Sequence, residues 1–385
     1  MSEIRVDSLS NESNTGGPVL SGITTFSGQQ YFIPPRGTTA ERPSDCPPGS
    51  IRFNTDTAHL EYWQGTVWLE FEASNVELGI ATHAAGDSGG LGTRALAGGL
   101  TAPGYVNTIE YYTISTLGNS INFGDLTGDR GNGVAACGSS TRGLFLSGYP
   151  NTSQGNVIDF VTFASGGDAT DFGDTIKKSE GRRALSNQTR GVSFGGSDRA
   201  NNFAYYNIMD YVTIASTGDA QDFGDLRPEM DKLSYGAAFS SSVRGVIGGS
   251  GDTPSATNNI NYLTISTQGN TLDFGELNYL TAKGTAGVSN STRGIFASGH
   301  TPTNVNISFV TIATTGNAQD FGDMVTGHTY ACGGASPTRA LLASGGGANA
   351  VEHITIPTTG NAAVFGDLWG TSSDTQFPTN GHGGL

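Results

Sequence analysis

Positive charge, cysteine and long apolar runs are all scarce in this chain of 385 residues. Lysine and arginine total 19 against 34 aspartates and glutamates, and the net charge of −15 repels phosphate backbones and anionic headgroups. No run approaches the roughly 18 apolar residues that a membrane helix needs, and the first residues carry no apolar export signal. We therefore expect a soluble protein, made in the cytoplasm, that binds no nucleic acid and inserts into no membrane.

The few cysteines and histidines also argue against familiar reactive sites. Cys46, Cys137 and Cys332 are odd in number and lack C-x-x-C spacing, so neither a disulfide framework nor a zinc site is indicated. The histidines form no ligand pair, and the chain has neither a Gly-x-Ser-x-Gly elbow nor a glycine-rich loop before a helix. The sequence predicts no enzyme, no cofactor and no metal. Paired carboxylates from distant segments are the one catalytic arrangement that it leaves open.

Glycine is abundant at 58 residues, while charged residues make up only 14% of the chain. Serine, threonine, asparagine and aspartate separate short apolar runs, a pattern typical of turn-rich β proteins. Three markers recur along this pattern. The first is Phe-Gly-Asp or Phe-Gly-Glu, whose phenylalanines are Phe123, Phe172, Phe223, Phe274, Phe321 and Phe365, at spacings of 49, 51, 51, 47 and 44 residues.

The other two markers have the same count. One is an arginine followed by an apolar run that ends in glycine, at Arg94, Arg142, Arg190, Arg244, Arg293 and Arg339. The other is an apolar strand around a threonine, followed by Gly-Asn or Gly-Asp, which suits a tight hairpin. Each unit reads as four strands, for example residues 236–240, 244–249, 260–266 and 271–277. Such a unit is typical of a β-propeller, so we predict an all-β protein with six blades over residues 88–385.

Packing roles follow from this prediction. The first strand of each unit is rich in small residues, as crowding near a propeller axis requires. The repeated phenylalanine is expected to fill the wedge between blades, and the glycine after it to let the chain bend away. The first unit has no convincing first strand of its own, and an unpaired edge would expose backbone donors and acceptors. We predict that residues 375–380 supply it.

The order of an apolar strand, paired glycines, a variable loop, a third strand, a turn and an outer strand resembles kelch repeats. The glycine pairs are Gly195-Gly196, Gly248-Gly249 and Gly345-Gly346. The tryptophan that kelch units usually carry near the fourth strand is replaced by the phenylalanine of Phe-Gly-Asp. The resemblance implies a kelch-like propeller over residues 88–385, but not the adaptor function of kelch proteins. The Tyr and His ligands of kelch-patterned copper oxidases have no evident counterpart.

The N-terminal quarter resembles virion appendage proteins of tailed bacteriophages, particularly cyanophages. The stretches that carry the resemblance are IRVDSLSNES (4–13), TTAERP (38–43), PGSIRFNTDT (48–57) and LEYWQGTVW (60–68). Residues 1–37 are polar and glycine-rich, and such a segment orders only against a partner. The resemblance implies an extended virion anchor at 1–37. A small meander module follows at 38–75, with strands at 50–54, 60–63 and 67–71, and residues 76–87 form a linker.

Two polar patterns in the repeats could carry chemistry. The six arginines would stand on one face of a propeller, where they could bind an anion, although bonds to the neighbouring blade explain their regularity better. Asp168, Asp171 and Asp174, and likewise Asp219, Asp222 and Asp225, could attract calcium. Their spacing lacks the pattern of an EF-hand, and strand alternation points some of these carboxylates apart. A solvated acidic surface is therefore the favoured interpretation.

The loops after the second and fourth strands emerge on one face and vary between units, whereas the turns on the other face barely change. Variable loops on a fixed scaffold favour recognition. The candidate binding residues on this face are Tyr149, Phe203, Tyr205, Tyr235, Tyr279, His300 and Trp369. Their rings could stack on sugars, although ordinary packing is an alternative for each.

The resemblance and the variable loops together suggest a tail-fibre or appendage adhesin of the virion. The expected partners are other virion proteins, bound through the N-terminal segment, and a host-surface glycan or protein. A homo-oligomer is plausible because avidity favours it. The alternatives are a capsid or neck decoration protein without dedicated receptor binding and, more weakly, a polysaccharide-cleaving propeller enzyme.

Overall fold

The computed structural model describes residues 34–57, 59–70, 93–100, 104–149, 154–250, 257–281, 284–299, 305–328, 330–343, 345, 348–368, 370 and 375–385. The chain divides into two compact units, Met1–Asn75 and Val76–Leu385. In the described part the regular structure is β-strand apart from three 3₁₀ turns, Thr39–Glu41, Arg199–Asn201 and Pro228–Met230. None of these turns is long and apolar enough to cross a membrane. The protein is all-β, as the sequence predicts.

The N-terminal unit contains one sheet with the strand order β1-β2-β3-β4. Its strands are β1 (Arg36–Gly37), β2 (Ile51–Asn54), β3 (His59–Trp63) and β4 (Trp68–Glu70). The last three form the predicted antiparallel meander. The first runs parallel to β2 and was not predicted, because a two-residue strand leaves no alternation to detect. The last two residues of the predicted anchor therefore form a strand of this sheet, whereas residues 1–33 of the anchor and the predicted linker lie outside the described residues.

The described residues of the C-terminal unit form six antiparallel sheets of three or four strands, numbered I to VI along the chain. Sheet I contains β5 (Arg94–Gly98), β6 (Val106–Thr113) and β7 (Ile121–Arg130), and sheet II contains β8 (Ala135–Gly138), β9 (Arg142–Leu146), β10 (Val157–Thr162) and β11 (Thr170–Asp174). Sheet III contains β12 (Arg183–Ser186), β13 (Arg190–Phe194), β16 (Ile208–Thr213) and β17 (Gln221–Asp225). Between β13 and β16 the chain forms a separate two-stranded sheet of β14 (Ser197–Asp198) and β15 (Ala204–Tyr205).

Sheets IV to VI repeat the four-stranded meander of sheet II. Sheet IV contains β18 (Ala237–Ser240), β19 (Arg244–Ser250), β20 (Thr257–Thr264) and β21 (Leu272–Thr281). Sheet V contains β22 (Ala286–Ser289), β23 (Arg293–Ala297), β24 (Asn306–Thr311) and β25 (Gln319–Asp323). Sheet VI contains β26 (Cys332–Ala335), β27 (Arg339–Ala343), β28 (Ala350–Thr355) and β29 (Ala363–Asp367). The arrangement of repeated four-stranded sheets is propeller-like.

Sheet I has three strands of its own, and the end of the chain lies where its first strand would be. Thr379 forms an antiparallel bridge with Ala95. The Leu96 N–H donates to the Pro378 carbonyl at 3.1 Å, and the Asn380 N–H donates to the Arg94 carbonyl at 3.4 Å. Of the residues 375–380 predicted to supply the missing strand, residues 378–380 therefore pair with β5, whereas the Gln376 and Phe377 N–H groups bond other sheets.

Each repeated phenylalanine is buried in an apolar cluster shared by its own sheet and the next one. Phe123 of sheet I packs in a cluster with Val161 and Phe163 of sheet II. Phe365 of sheet VI packs with Ala95 of sheet I in the same way. The four other phenylalanines lie in the clusters between the intermediate sheets. The predicted role of these rings in the wedge between sheets is confirmed.

The glycine after each phenylalanine lies at a β-bulge or register irregularity of its sheet, which agrees with the predicted bend, and it also meets another backbone. The Gly167 N–H of sheet II donates to the Phe123 carbonyl of sheet I at 2.8 Å. This bond brings the two chains so close that a Cβ on Gly124 would overlap the Gly167 carbonyl. The same collision would occur at Gly366 against Gly118 of sheet I. Glycine is needed here because two backbones meet, and no side chain fits between them.

Candidate functional site on the loop face

The antiparallel order of each sheet places its connections at two ends. The end with the turns between strands one and two and between strands three and four is here called the turn face. The end with the loops after strands two and four is called the loop face. Strand β5 begins at the turn face, directly after Thr93.

The six repeated arginines lie at the turn face and bond the neighbouring sheet. Arg142 Nη1, for example, donates to the Ile214 carbonyl of sheet III at 3.0 Å, and its guanidinium lies 4.7 Å from the Phe160 ring centroid. The equivalent bonds join Arg94 to Phe163, Arg190 to Ile265, Arg244 to Ile312, Arg293 to Ile356 and Arg339 to Ile114. These guanidiniums tie the sheets together, as the favoured interpretation of the sequence holds.

The aspartate clusters at the turn face also join sheets. Asp168 Oδ1 accepts the Asp125 N–H at 3.0 Å, and Asp219 Oδ1 accepts the Asp174 N–H at 3.0 Å. Partial burial, together with the Asp219 and Asp171 charges, raises the pKa of Asp174. Within the described ranges, no three His, Cys, Asp or Glu side chains come close enough together to hold a metal ion.

The first strands of sheets II to VI and the chain end surround a cavity of about 50 Å³. No acidic side chain is among the described residues that line it. His382 Nε2 lies 2.9 Å from the Gly138 carbonyl, and Nδ1 accepts the Gly384 N–H at 3.0 Å, so the ring proton is on Nε2. Burial lowers the pKa of this imidazole. Since Nδ1 is occupied and Nε2 carries the proton, His382 has no free lone pair with which to activate Ser186, 3.3 Å away.

Cys137 also lines this cavity. Burial raises the pKa of its thiol to about 12, which suppresses the thiolate that a nucleophile needs. The paired carboxylates that the sequence leaves open would have to meet between the first strands. The described residues that line the cavity there include no aspartate or glutamate.

A cluster of three aromatic rings around one cation lies on the loop face, here called the aromatic cluster. It consists of Tyr105, Tyr149, Arg199 and Phe203, which come from the loops after the second strands of sheets I, II and III. The Arg199 guanidinium lies 4.3 Å from the Tyr149 ring centroid and 5.4 Å from that of Phe203. The Tyr105 and Tyr149 centroids are 5.0 Å apart.

Arg199 is held in place by a buried carboxylate. Its Nε lies 3.1 Å from Oε1 of Glu180, whose side chain is only 2% exposed. Burial opposes the charge of Arg199, but the Glu180 carboxylate outweighs it and raises the pKa of the guanidinium. The positive charge is therefore permanent and already balanced, so the cluster presents aromatic surface rather than a free cation.

Backbone bonds fix the loops that carry the cluster. Tyr149 and Gly131 exchange a pair of backbone hydrogen bonds at 2.7 and 2.8 Å, and Ser197 and Glu180 exchange another pair at 3.0 Å. The short hairpin β14–β15 also holds the Arg199–Asn201 turn. Because the rings are ordered before a ligand arrives, binding costs little conformational entropy.

The exposure of the rings suits stacking. Phe203 is 47% exposed and Tyr105 is 37% exposed, so both offer ring surface to solvent. An aromatic face held in this way could stack on the apolar C–H face of a sugar ring, and the nearby tyrosine hydroxyls could bond its hydroxyls. The surrounding net negative charge disfavours anionic ligands.

The other predicted binding residues do not join this cluster. Tyr235 was expected to be exposed, but it is only 7% exposed and packs edge-on against Tyr330 at 5.8 Å. Tyr279 is half-buried and donates from its hydroxyl to the Ser298 carbonyl at 3.3 Å, and burial raises its pKa. Tyr205 is half-buried in β15. His300 and Trp369 lie outside the described residues.

Tyr105 and Arg199 are the members that sequence reasoning missed. Tyr105 lies in the loop after the second strand of sheet I, from which no candidate binding residue was named. Arg199 lies inside a loop recognised as variable, but the aromatic partners of a cation cannot be read from loop sequence. Alignment of all six second-strand loops would have identified Tyr105.

No protein-family model matches the chain, and no curated protein matches it significantly in sequence. The kelch-like and virion resemblances therefore rest on the sequence motifs alone.

Proposed function

We propose that the C-terminal unit is a closed, six-bladed, kelch-like propeller in which sheets I to VI are the blades. The support is a set of contacts repeated at every junction between sheets. Asp125, Asp174, Asp225, Glu276, Asp323 and Asp367 each donate a backbone N–H to an Asp or Asn side chain of the next sheet. For Asp367 of sheet VI that side chain is Asn119 of sheet I, at 3.0 Å.

On this scaffold the protein is a binding module without catalytic activity, and its loop face recognises a saccharide. The observation that carries the proposal is the aromatic cluster, in which Tyr105 and Phe203 present ring surface fixed by Arg199 and Glu180. The faces of the molecule differ in the way a receptor-binding protein requires. The turn face is occupied by bonds between sheets, and the loop face carries the variable segments.

The biological setting that we propose is the virion of a tailed phage, where the protein acts as a tail-fibre or appendage adhesin. It would be made in the host cytoplasm, bind other virion proteins through residues 1–37 and attach to a glycan on the host surface. The motifs at 4–13 and 38–68 support this setting.

Binding of host-surface polysaccharide to the full chain tests the saccharide site. Phe203→Ser and Tyr105→Ser remove exposed ring surface and should together weaken binding by about tenfold or more, since stacked rings contribute about 1–3 kcal/mol. Val325→Ser is the matched control, because Val325 is 56% exposed and follows the fourth strand of sheet V on the same face. Equal binding by all three proteins would contradict the proposed site.

Immunogold labelling of purified virions with antibody against residues 88–385 tests the setting. Gold on tail fibres or the tail tip supports the adhesin, and gold on the head or neck identifies a decoration protein instead. Particles that stay unlabelled with an accessible epitope would overturn the virion assignment. Release of reducing sugar from the polysaccharide would show that the protein is an enzyme.

A further inference from the structure

The aromatic cluster is a row of contacts with two separate ends. The Tyr105 and Tyr149 ring centroids are 5.0 Å apart, and the Tyr149 centroid lies 4.3 Å from the Arg199 guanidinium. The same guanidinium lies 5.4 Å from the Phe203 ring centroid. Among the described residues, no ring–ring contact joins Phe203 to either tyrosine. Tyr105 of sheet I and Phe203 of sheet III are therefore the two ends of the row, here called the end rings.

The end rings are more exposed than the tyrosine between them. Phe203 is 47% exposed and Tyr105 is 37% exposed, whereas Tyr149 is half-buried. The ring of one sugar is about as large as a phenyl ring, so a single sugar can stack on one end ring but not on both. A ligand that uses both end rings must therefore carry several sugar rings.

The middle of the row offers hydrogen-bond donors instead of ring surface. The Arg199 side chain is 38% exposed, and its Nε donates to Glu180 Oε1 at 3.1 Å. Within the described part of the chain its two Nη groups have no hydrogen-bond partner. These N–H groups can donate to hydroxyl, ether or carbonyl oxygens of a ligand. Because Glu180 already balances the charge of Arg199, neutral oxygens suit this position.

The backbone that carries Phe203 is strained in a way that keeps the ring exposed. Asn202 and Phe203 have φ angles of 53° and 57°, a left-handed conformation that is costly for a bulky residue. The turn before them is fixed at Asp198, which accepts the Ala200 N–H at 3.0 Å and the Tyr206 hydroxyl at 3.2 Å. Strain of this kind is concentrated at binding sites. The loop therefore holds Phe203 in solvent at a cost in stability.

We propose, resting on the saccharide function given above, that the aromatic cluster binds an internal run of about three linked sugars in a neutral polysaccharide. The outer two sugars stack on the end rings, and the sugar between them accepts hydrogen bonds from the Nη groups of Arg199. The ligand is thus a chain that crosses the loops of sheets I to III, and a single terminal sugar does not fill the site.

The energetic consequence is a steep dependence of affinity on the length of the ligand. Once one sugar has stacked on an end ring, the second contact forms within the same complex and at a high effective concentration. The end rings are ordered before the ligand arrives, so little conformational entropy is lost when the second contact forms. A fragment that spans both end rings should bind about tenfold or more tightly than a single sugar.

Titration calorimetry of the full chain tests this with fragments of one to four sugars, made by partial hydrolysis of the host-surface polysaccharide. Phe203→Ser removes one end ring and should weaken binding of the three-sugar fragment by about tenfold or more, but binding of the single sugar by only about twofold. Tyr105→Ser should act in the same way. Retained binding of the single sugar also shows that the loop face of each variant is folded. Val325→Ser, at a 56% exposed site, is the matched control and should bind every fragment like wild type.

A wild-type affinity that rises between one and three sugars, and that loses this rise in both end-ring variants, supports the assignment. A single sugar that binds as tightly as the longer fragments overturns it and leaves the saccharide function standing. The assignment also fails if Phe203→Ser weakens binding of all fragments equally, because the end rings would then belong to one sugar subsite. Absence of binding to the polysaccharide and to every fragment contradicts the proposed function itself.

Discussion

The two units of this protein bury opposite kinds of surface. In the C-terminal unit each repeated phenylalanine lies in a cluster shared with the next sheet, and each repeated arginine bonds a carbonyl of that sheet. In the N-terminal unit Glu61, on one side of the sheet, is buried in an ion network with Arg42 and Arg52. The difference shows what the repeat provides. A sheet in a series packs its apolar side chains against the next copy, whereas the buried centre described in the N-terminal sheet is ionic.

The largest loss of folding stability is expected where a repeated phenylalanine is removed. Phe223 is 2% exposed and packs with residues of sheets III and IV. Phe223→Ala should lower the free energy of unfolding of the C-terminal unit by about 3–5 kcal/mol, because transfer and cavity costs add. Chemical denaturation measures this loss. Phe203→Ala, at a 47% exposed ring, is the control and should stay within about 0.5 kcal/mol of wild type.

A smaller effect is expected at the centre of the N-terminal ion network. Glu61→Gln keeps the shape of the side chain but removes the charge that Arg42 and Arg52 share. The local stability of that unit should fall by about 1–3 kcal/mol, since buried donors lose their partner. Tryptophan fluorescence during denaturation reports it. A transition of the N-terminal unit unchanged from wild type would show that the network is not what holds this sheet.

The smallest expected change in stability depends on pH and concerns sheet VI, which has a histidine where the other five sheets have a tyrosine or a phenylalanine. Arginines stack on Tyr111, Phe160, Tyr211, Tyr262 and Phe309. His353 of sheet VI packs on Phe365 at 5.9 Å, as those rings pack on their own phenylalanines. Burial and the charge of Arg339 lower the pKa of His353.

The folded state therefore binds its proton less readily than the unfolded state, whose pKa is about 6.5. The contribution of His353 to the free energy of unfolding is fully present above the unfolded pKa. It declines as the pH falls from there through the lower pKa of the folded state. His353→Phe should remove this contribution, so its advantage over wild type should grow between about pH 7 and about pH 5. Thermal unfolding across that range measures the difference. An advantage independent of pH would place the effect in packing rather than in protonation.

Much of the fold could be predicted because the repeat marks every sheet. Strand β19 begins at Arg244 as expected, and the predicted partner of β5 at the end of the chain is present. The bend at Gly124 could be predicted, but its close contact with Gly167 could not, because Gly167 belongs to another sheet. The strand β1 was missed because its two residues are too few to show the alternation of apolar and polar side chains that identifies a strand.

The candidate site was harder to predict than the fold. Tyr149 and Phe203 were named from variable loops, and the structure brings both to Arg199. Tyr235 occupies an equally variable position but is buried against Tyr330. The sequence of a loop shows that an aromatic residue is present, and only the neighbouring loops decide which way its ring is turned.

The central claim is that the end of the chain completes sheet I, so that every sheet of the C-terminal unit has a neighbour. Ala95 and Thr379 form a non-hydrogen-bonded antiparallel pair, flanked by the bonds from Leu96 and Asn380. The Cα atoms of such a pair are about 4.5 Å apart, within reach of a disulfide. In the double variant Ala95→Cys and Thr379→Cys, mass spectrometry after mild oxidation should find a bond between the two positions, and thermal unfolding should shift to higher temperature than in the reduced form. Two thiols that stay free in the folded protein would contradict the account.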